Sequence, residues 1–320
     1  MIPFKVLPIG EEEKKAVAAV LDSKQLSMGR KVIELEVLFG EYVGVDYAVA
    51  VDSCTSALFL SMMYRKSKTE TREILCPSIT VPLVANTITH AGLTPVFTDD
   101  TDWVGRSYML HPFNIIDSAH EVNRGIISPD KRFTACYSFY PTKPISSCEG
   151  GIVATNDKEM ADWVKQARWY GRSEGDSHIK NSWEYDIDFP GWKMNMTDIQ
   201  AAIAVEQLKK LDRLSAERQR VVSLYNKLLG KTNTSLYLYR LNVDRRNEFI
   251  TYMKTNGVEC GIHFKPLHLM TAFKDYEVRG DRKKIETEGE TTVSLPLYDS
   301  LSDRVVERIA ELVLNWSAQR

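Results

Sequence analysis

Short apolar runs alternate with helical patterns through the first 170 residues, and this alternation constrains the fold more than any other feature of the chain. The runs that predict strands are 47–51, 73–76, 95–98, 114–117, 133–137 and 151–154. The amphipathic patterns that predict helices are 11–21, 32–42, 84–90 and 158–170. Such alternation favours an α/β fold with a mainly parallel sheet covered by helices on both faces. Ligands of these sheets usually bind outside the carboxyl ends of the strands.

A long helical pattern separates this region from a second one. It begins with a capping-box match at Thr197 and Gln200 and continues, with room for a bend, to Gly230. Beyond it, strands are predicted at 236–241, 258–264 and 293–296, and helices at 248–254 and from Ser302 to residue 314. We place the domain boundary in the long helix. This predicts a large domain of residues 1–215 and a smaller C-terminal α/β domain of residues 216–320.

Charge and cysteine content exclude several classes of protein. The 41 basic and 43 acidic residues give a net charge of −2 with no basic stripe, so neither a nucleic acid nor a membrane is an expected partner. The five cysteines are scattered and odd in number, which favours reduced thiols and predicts no metal site. The start of the chain has no signal-peptide pattern, and no apolar run is long enough to span a bilayer. We therefore expect a cytoplasmic protein.

Three separate stretches carry side chains that could bind one cofactor. The small polar turn 53–56 lies between a strand and a helix, where it could hold a phosphate or simply cap the helix. Asp117 ends an apolar strand and needs a cation or hydrogen-bond donors, or else caps the next segment. Lys143 lies between two prolines that restrict the backbone, although most lysines are only solvated surface charges. In this order the three stretches could bind pyridoxal phosphate (PLP) as a Schiff base.

The motifs resemble those of the DegT-type family of PLP-dependent nucleotide-sugar aminotransferases, which have the type I (aspartate aminotransferase) fold. The resemblance runs nearly end to end and keeps the order and spacing of the motifs. They are Leu26-Ser-Met-Gly29 with Glu36, Ser53-Cys-Thr-Ser-Ala-Leu58, Pro77-Ser-Ile-Thr80, Gly92-Leu-Thr-Pro-Val-Phe97, Asp117-Ser-Ala-His120, Ser138-Phe-Tyr-Pro-Thr-Lys143 with Glu149-Gly-Gly151, Lys193-Met-Asn195 through Ala202, Pro266-Leu-His268 and Ser294-Leu-Pro-Leu297.

The resemblance implies three catalytic residues. Lys143 is expected to form the Schiff base with PLP and then to move the proton between the substrate and the cofactor. Asp117 is expected to keep the pyridine nitrogen protonated. His120, by itself most often a structural histidine, is expected to lie beside the ring near its 3-hydroxyl.

The resemblance also implies how the cofactor phosphate is held. Thr55, Ser56 and Ser138 are expected to bind it within one subunit. The residue that matches Asn195 reaches the phosphate of the neighbouring subunit in relatives, which implies a homodimer with shared active sites. Basic side chains could bind the carboxylate or diphosphate of the substrates, or could equally be surface charges. These candidates are Arg168, Arg172, Lys193, Lys265 and His268.

Two departures from the family pattern concern the pocket. Relatives often have an aromatic residue that stacks on the cofactor where this chain has Val81, followed by Pro82. The segment 99–111 is much shorter than in the family, which normally has a further strand and helix there. We expect the shortening to widen the pocket or to remove substrate contacts.

The leading hypothesis is an aminotransferase that moves an amino group from glutamate or glutamine to a nucleotide-linked keto-sugar. A PLP-dependent or pyridoxamine phosphate (PMP)-dependent sugar dehydratase is disfavoured, because relatives with that activity replace the Schiff-base lysine with histidine and Lys143 is present. The third reading is a shortened relative that binds or regulates without turnover.

Overall fold

The computed structural model describes residues 1–125, 130, 132–172 and 185–318. It confirms the α/β fold class. The strands are β1 Tyr47–Val51, β2 Glu73–Pro77, β3 Thr94–Thr98, β4 Tyr108–Leu110, β5 Ile115–Asp117, β6 Thr134–Ser138, β7 Gly151–Thr155, β8 Tyr239–Asn242, β9 Val278–Arg279 and β10 Thr292–Leu295. The helices are α1 Glu11–Ser23, α2 Arg30–Val43, α3 Cys54–Ser67, α4 Pro82–His90, α5 Lys158–Ala167, α6 Asp198–Lys209, α7 Leu211–Leu229, α8 Arg246–Thr255, α9 Arg282–Thr291 and α10 Asp303–Ala318.

The central sheet has the strand order β1-β7-β6-β5-β4. Only β5 and β6 are parallel neighbours, because β7 lies antiparallel between β1 and β6, and β4 is antiparallel to β5. β1, β5 and β6 nevertheless point the same way. β2 and β3 form a parallel pair that follows this direction, since Leu75 bridges His111, directly after β4, in antiparallel orientation. The prediction of a mainly parallel sheet thus holds for strand direction but not for neighbour pairing.

Helices cover both faces of the sheet, as the alternation of strands and helices predicts. In β1, Val49 and Val51 pack in one hydrophobic cluster with α3, α4 and α5. The intervening Ala48 and Ala50 pack in a second cluster with α2 and α6. Because side chains alternate between the faces of a strand, these two clusters lie on opposite sides of the sheet.

A third hydrophobic cluster joins residues between Val221 and Trp316, from α7, α8 and α10 with β8 and β10. Other C-terminal residues, including Tyr237 and Phe273, pack instead in the cluster formed by α3 to α5. The domain boundary at residue 215 stays a prediction. Within the described part of the chain, no helix is long and apolar enough to cross a bilayer.

Several predicted element boundaries are wrong. Residues 258–264 form isolated bridges, Val258 with Ile2 and Gly261 with Ser294, instead of a continuous strand. The helix predicted at 158–170 ends at Ala167. The long helical pattern from Thr197 to Gly230 forms two helices, α6 and α7, that meet at Lys210, where the prediction left room for a bend. No sequence pattern indicated β4, which has three residues, or α9, whose only buried residues are Ile285 and Gly289.

Candidate active site

Lys143 lies in the loop between β6 and β7, and hydrogen bonds across this loop fix its shape. Phe139 N–H donates to Gly150 O at 2.8 Å, and Ser147 N–H donates to Phe139 O at 2.9 Å. Lys143 N–H donates to Tyr140 O at 2.9 Å, which closes a tight turn at the lysine itself. The prediction of a constrained lysine is therefore met by the backbone geometry.

Lys143 lines a cavity of about 460 Å³. The cavity brings together four of the predicted site residues, Thr55, Asp117, Ser138 and Lys143. Its other polar or ionisable lining residues are Ser53, Cys54, Tyr140, Thr142, Glu149, Tyr237 and His263. Val81, the position that departs from the family pattern, lines it together with Leu83 and Val84, and Phe264 adds an aromatic ring.

Asp117 lies at the carboxyl end of β5 and is 4% exposed. Ala119 N–H donates to its Oδ1 at 3.0 Å, and Tyr108 O–H donates to its Oδ2 at 2.8 Å. Burial raises the pKa of Asp117, while these two hydrogen bonds and Lys143 act in the opposite direction. The carboxylate is thus held by two donors at the edge of the cavity.

The turn that is predicted to hold a phosphate lies at the start of α3. Ser53 caps the helix by accepting a hydrogen bond from Ser56 N–H at 3.1 Å. Ser56 is buried, and its hydroxyl donates to Asp52 Oδ1 at 2.5 Å, so this side chain is already engaged within the cap. Thr55 lines the cavity, and the N-terminus of α3 provides backbone N–H groups with a favourable dipole for an anion.

His120 is buried behind the cavity among aromatic rings. Its ring centroid lies 4.4 Å from that of Tyr237 and 5.5 Å from that of Trp103. Gly105 N–H donates to His120 Nδ1 at 3.2 Å, which requires this nitrogen to be unprotonated. Burial first, and then the charge of Lys143, lowers the pKa of His120 well below its ordinary value.

Asn195 and Lys193 do not line the cavity of their own chain. The Lys193 ammonium donates to Asn195 Oδ1 and lies 3.6 Å from the centroid of the Trp169 ring. Asn195 also bridges Val51 at the end of β1, directly before the cradle turn.

Two candidate substrate residues are engaged elsewhere. Arg168 is buried and donates from Nη1 to Glu36 Oε1 and to Ala50 O, at 2.5 Å each. His268 is buried between Ser78 Oγ, 2.7 Å from its Nδ1, and Glu286 Oε1, 3.3 Å from its Nε2. The structure does not bring either residue to Lys143.

Arg172 and Lys265 also lie outside the cavity lining. The Arg172 guanidinium lies over the Tyr185 ring, 4.7 Å from its centroid. Lys265 is exposed directly after His263 and Phe264, so it borders the lining of the cavity.

The site also contains residues that sequence reasoning missed. Tyr237 comes from the C-terminal region, and its hydroxyl lies 3.2 Å from Thr142 Oγ1. Lys143 Nζ and Lys5 Nζ lie 4.8 Å and 4.5 Å from the centroid of the Tyr237 ring. No motif near residue 5 or 237 indicated this contact, because only the tertiary fold brings these segments together.

PLP fits the groups that this cavity presents, which are a helix N-terminus for a phosphate, a lysine for an aldehyde and a hydrogen-bonded carboxylate for a pyridine nitrogen. The backbone at Gly151 lies directly against the backbone of Ser53 and Cys54, in the turn that is predicted to hold the phosphate. A Cβ added at Gly151 would lie 2.6 Å from Cys54 N and from Ser53 C. The fold and the site together define a PLP-dependent transferase of the type I class.

Comparisons with known proteins identify the family. The model of the DegT/DnrJ/EryC1/StrS aminotransferase family matches residues 8–129 and 130–314. The spore coat polysaccharide biosynthesis protein SpsC of Bacillus subtilis (strain 168) is 31% identical over 375 aligned positions, which cover 98% of this chain and 96% of SpsC. The chain therefore belongs to this family of PLP-dependent sugar aminotransferases.

Solved structures show the same fold. The Helicobacter pylori aminotransferase PseC, which is involved in the biosynthesis of pseudoaminic acid, has a TM-score of 0.84 and 21% identity, with 98% of each chain covered. The putative sugar aminotransferase Spr1654 from Streptococcus pneumoniae, in its PMP form, has a TM-score of 0.85 and 24% identity over the whole of both chains.

The alignment with SpsC is longer than the 320 residues of this chain, so SpsC contains residues that have no counterpart here.

Proposed function

We propose that this protein transfers an amino group from glutamate or glutamine to a keto-sugar carried on a nucleoside diphosphate. One observation carries this proposal: Lys143 shares a single cavity with Asp117, Ser138 and the start of α3. Membership of a sugar aminotransferase family supports it at the level of reaction and substrate class. The nucleotide, the keto-sugar and the donor are the parts that the proposal adds.

The residues of the cavity have distinct roles in this reaction. PLP, when bound, supplies the electron sink for the carbanion that forms at the donor α-carbon. Lys143 Nζ removes the α-proton and returns a proton on the cofactor side, while Asp117 holds the pyridine nitrogen in its protonated form. Thr55, Ser138 and the backbone N–H groups at the start of α3 hold the phosphate. Donor and acceptor use the same cavity in turn, which is a ping-pong sequence.

We also propose a homodimer with shared active sites. Asn195 and Lys193 pair with each other outside the cavity of their own chain, where a second subunit could use them. The apolar side chains of Ile33 and Val37, one turn apart on α2, are 61% and 55% exposed. Exposed apolar side chains on one helical face are typical of a surface that a partner covers.

Three cations are the proposed contacts of the nucleotide diphosphate, of which Lys193 and Lys265 are exposed and Arg172 is half-buried. Lys265 borders the cavity lining, and Lys193 and Arg172 lie on the segments that flank Gly191. Arg168 and His268 stay predictions from the sequence alone, because buried partners occupy both side chains. The cytoplasmic location also stays a prediction.

Absorbance spectroscopy with purified protein tests the proposed reaction. Protein loaded with PLP should show the visible band of lysine-bound cofactor, lose it on addition of L-glutamate and release an equal amount of 2-oxoglutarate. A panel of nucleotide-linked keto-sugars added to the resulting PMP form should then restore the band with the correct acceptor. Protein that does not take up PLP, or that keeps the band with both glutamate and glutamine, would refute the proposal.

A further inference from the structure

The shortened segment 99–111 packs directly against the two predicted cofactor residues of the Asp117 motif. Trp103, Gly105 and Tyr108 come from this segment. Gly105 N–H donates to His120 Nδ1, and the Trp103 ring lies beside His120. Tyr108, the first residue of β4, donates its hydroxyl to Asp117. The segment that is shortened relative to the family thus forms a wall behind the site.

Two hydrogen-bond partners and the packing of its ring hold the Tyr108 hydroxyl in place. It lies 2.8 Å from Asp117 Oδ2 and 3.0 Å from Thr80 Oγ1. The ring is 6% exposed, and its centroid lies 4.2 Å from that of Trp103. The backbone is held as well, since β4 pairs with β5 in a register that places Tyr108 directly opposite Asp117. The donor therefore cannot turn away from the carboxylate without losing its hydrogen bonds and the packing of its ring on Trp103.

The two oxygens of Asp117 have different partners. Oδ1 accepts from Ala119 N–H, a backbone donor two residues away, which any residue other than proline would provide at that position. Oδ2 accepts from Tyr108 O–H, which depends on one particular side chain. Without that hydroxyl, Oδ2 would lose its only side-chain donor among the described residues in a setting where burial opposes the charged form.

We propose that Tyr108 is a positioning residue for the cofactor: its hydroxyl keeps the Asp117 carboxylate ionised and oriented for the pyridine nitrogen of PLP. The inference rests on the role proposed above for Asp117. An ionised, oriented carboxylate can accept the N–H of a pyridinium ring, whereas a protonated or rotated carboxyl cannot. The wall formed by segment 99–111 thus has a chemical role in addition to its packing.

Tyr108→Phe removes the hydroxyl and keeps the ring that packs on Trp103. Two ligands separate a chemical role from a structural one, namely PLP and the PLP analogue in which a C–H group replaces the ring nitrogen. Equilibrium dialysis of the apoenzyme gives the dissociation constant of each. Tyr108→Phe should weaken PLP by about tenfold or more, the typical value of a hydrogen bond to a charged group, and should leave the analogue unchanged.

Tyr225→Phe is the matched control. It also removes a buried tyrosine hydroxyl, one that donates to Pro296 O at 3.2 Å in the third hydrophobic cluster, away from the cavity. We expect it to change neither dissociation constant. The inference is overturned if Tyr108→Phe weakens PLP and the analogue equally, because the hydroxyl would then only support the fold, or if it weakens neither.

A double-mutant cycle with Asp117→Asn tests the route of the effect. If Tyr108 acts through the carboxylate, Tyr108→Phe should not weaken PLP any further, relative to the analogue, in the Asp117→Asn background. A tenfold loss that persists there would refute the inference. A different result would overturn the proposed function. If the unmodified protein does not bind PLP at all, the proposed transamination is refuted before any variant is compared.

Discussion

Gly151→Ala should damage the phosphate cradle without touching any group that reacts. An added Cβ would lie 2.6 Å from Cys54 N and from Ser53 C, and 2.7 Å from Ser53 O. All three atoms are backbone atoms, so no flexible side chain can move aside. Ordinary Cβ contacts start near 3.4 Å, so the turn must retreat from β7 by roughly 0.8 Å. Overpacking of this kind costs about 1–3 kcal/mol of the free energy of unfolding.

The same displacement should weaken cofactor binding. The turn that moves is the one whose backbone N–H groups and Thr55 side chain would hold the phosphate. Loss of one hydrogen bond to a charged group costs about 1.5–3 kcal/mol, which corresponds to about tenfold to 100-fold in the dissociation constant of PLP. Urea unfolding of the apoenzyme measures the first effect, and equilibrium dialysis with PLP measures the second.

Gly40→Ala is the matched control for Gly151→Ala. Gly40 lies in α2, and an added Cβ there would meet its nearest atoms at 3.4 Å and 3.8 Å, which are ordinary contacts. Alanine in a helix interior should leave stability unchanged or raise it by up to about 1 kcal/mol, with PLP affinity unaffected. If Gly151→Ala binds PLP as tightly as the unmodified protein and unfolds at the same urea concentration, the steric reasoning is refuted.

Three further predictions concern the site. Lys143→Ala should abolish the visible band of bound PLP and lower kcat with glutamate by about 1,000-fold or more, and full activity in a rapid-mixing assay would contradict the role of Lys143 as the base. In dimers with Asn195→Ala in one subunit only, dialysis should show weakened PLP binding by the other subunit; two equal sites of unmodified affinity would count against a shared site. Burial first, and then Lys5 and Lys143, lowers the pKa of His263 from 6.5 to about 3, so only the unfolded state gains this proton as the pH falls below 6.5. His263 should therefore contribute about 1 kcal/mol to the fall in stability between about pH 7 and 5.5, a part that His263→Gln should remove, and equal urea-unfolding losses in both proteins would refute this linkage.

Sequence patterns placed the parts of the site that are defined locally. Lys143 stands between prolines that restrict its backbone, and Asp117 ends an apolar strand, although each pattern alone also allowed a purely structural interpretation. The turn 53–56 is indicated by the apolar run that ends before it and the helical pattern that follows it. Each of these features depends on a few consecutive residues. The structure brings them into one cavity because β1, β5 and β6 point the same way, and this common direction follows from the alternation of strands and helices.

The supporting residues could not be predicted, because they come from distant segments with no pattern of their own. Tyr108 lies in a segment that the sequence marked only by its shortness, with no sign of the strand β4. Tyr237 and Lys5 come from segments far from Lys143 in the chain, and the ammonium groups of both lysines lie over the Tyr237 ring. Conversely, Arg168 and His268 were singled out for their charge, which does not reveal that Glu36 and Ser78 already engage them. Residue type indicates what a side chain can do, whereas tertiary packing decides what it touches.

Two basic side chains, Lys5 and Arg218, are buried next to Lys143 on the side away from the cavity lining. Lys5 donates to two carbonyl oxygens, of Tyr237 and Leu297, and the Arg218 guanidinium lies 3.4 Å from Pro144 O. Neither forms an ion pair with a carboxylate in the described part of the chain. Burial lowers the pKa of Lys5 and of Arg218, because removal from water disfavours the charged form of each side chain. A negatively charged ligand in the neighbouring cavity, which shares Thr142, Lys143 and Tyr237 with this group, would offset part of that cost, so the proposed anionic ligands suit this surrounding.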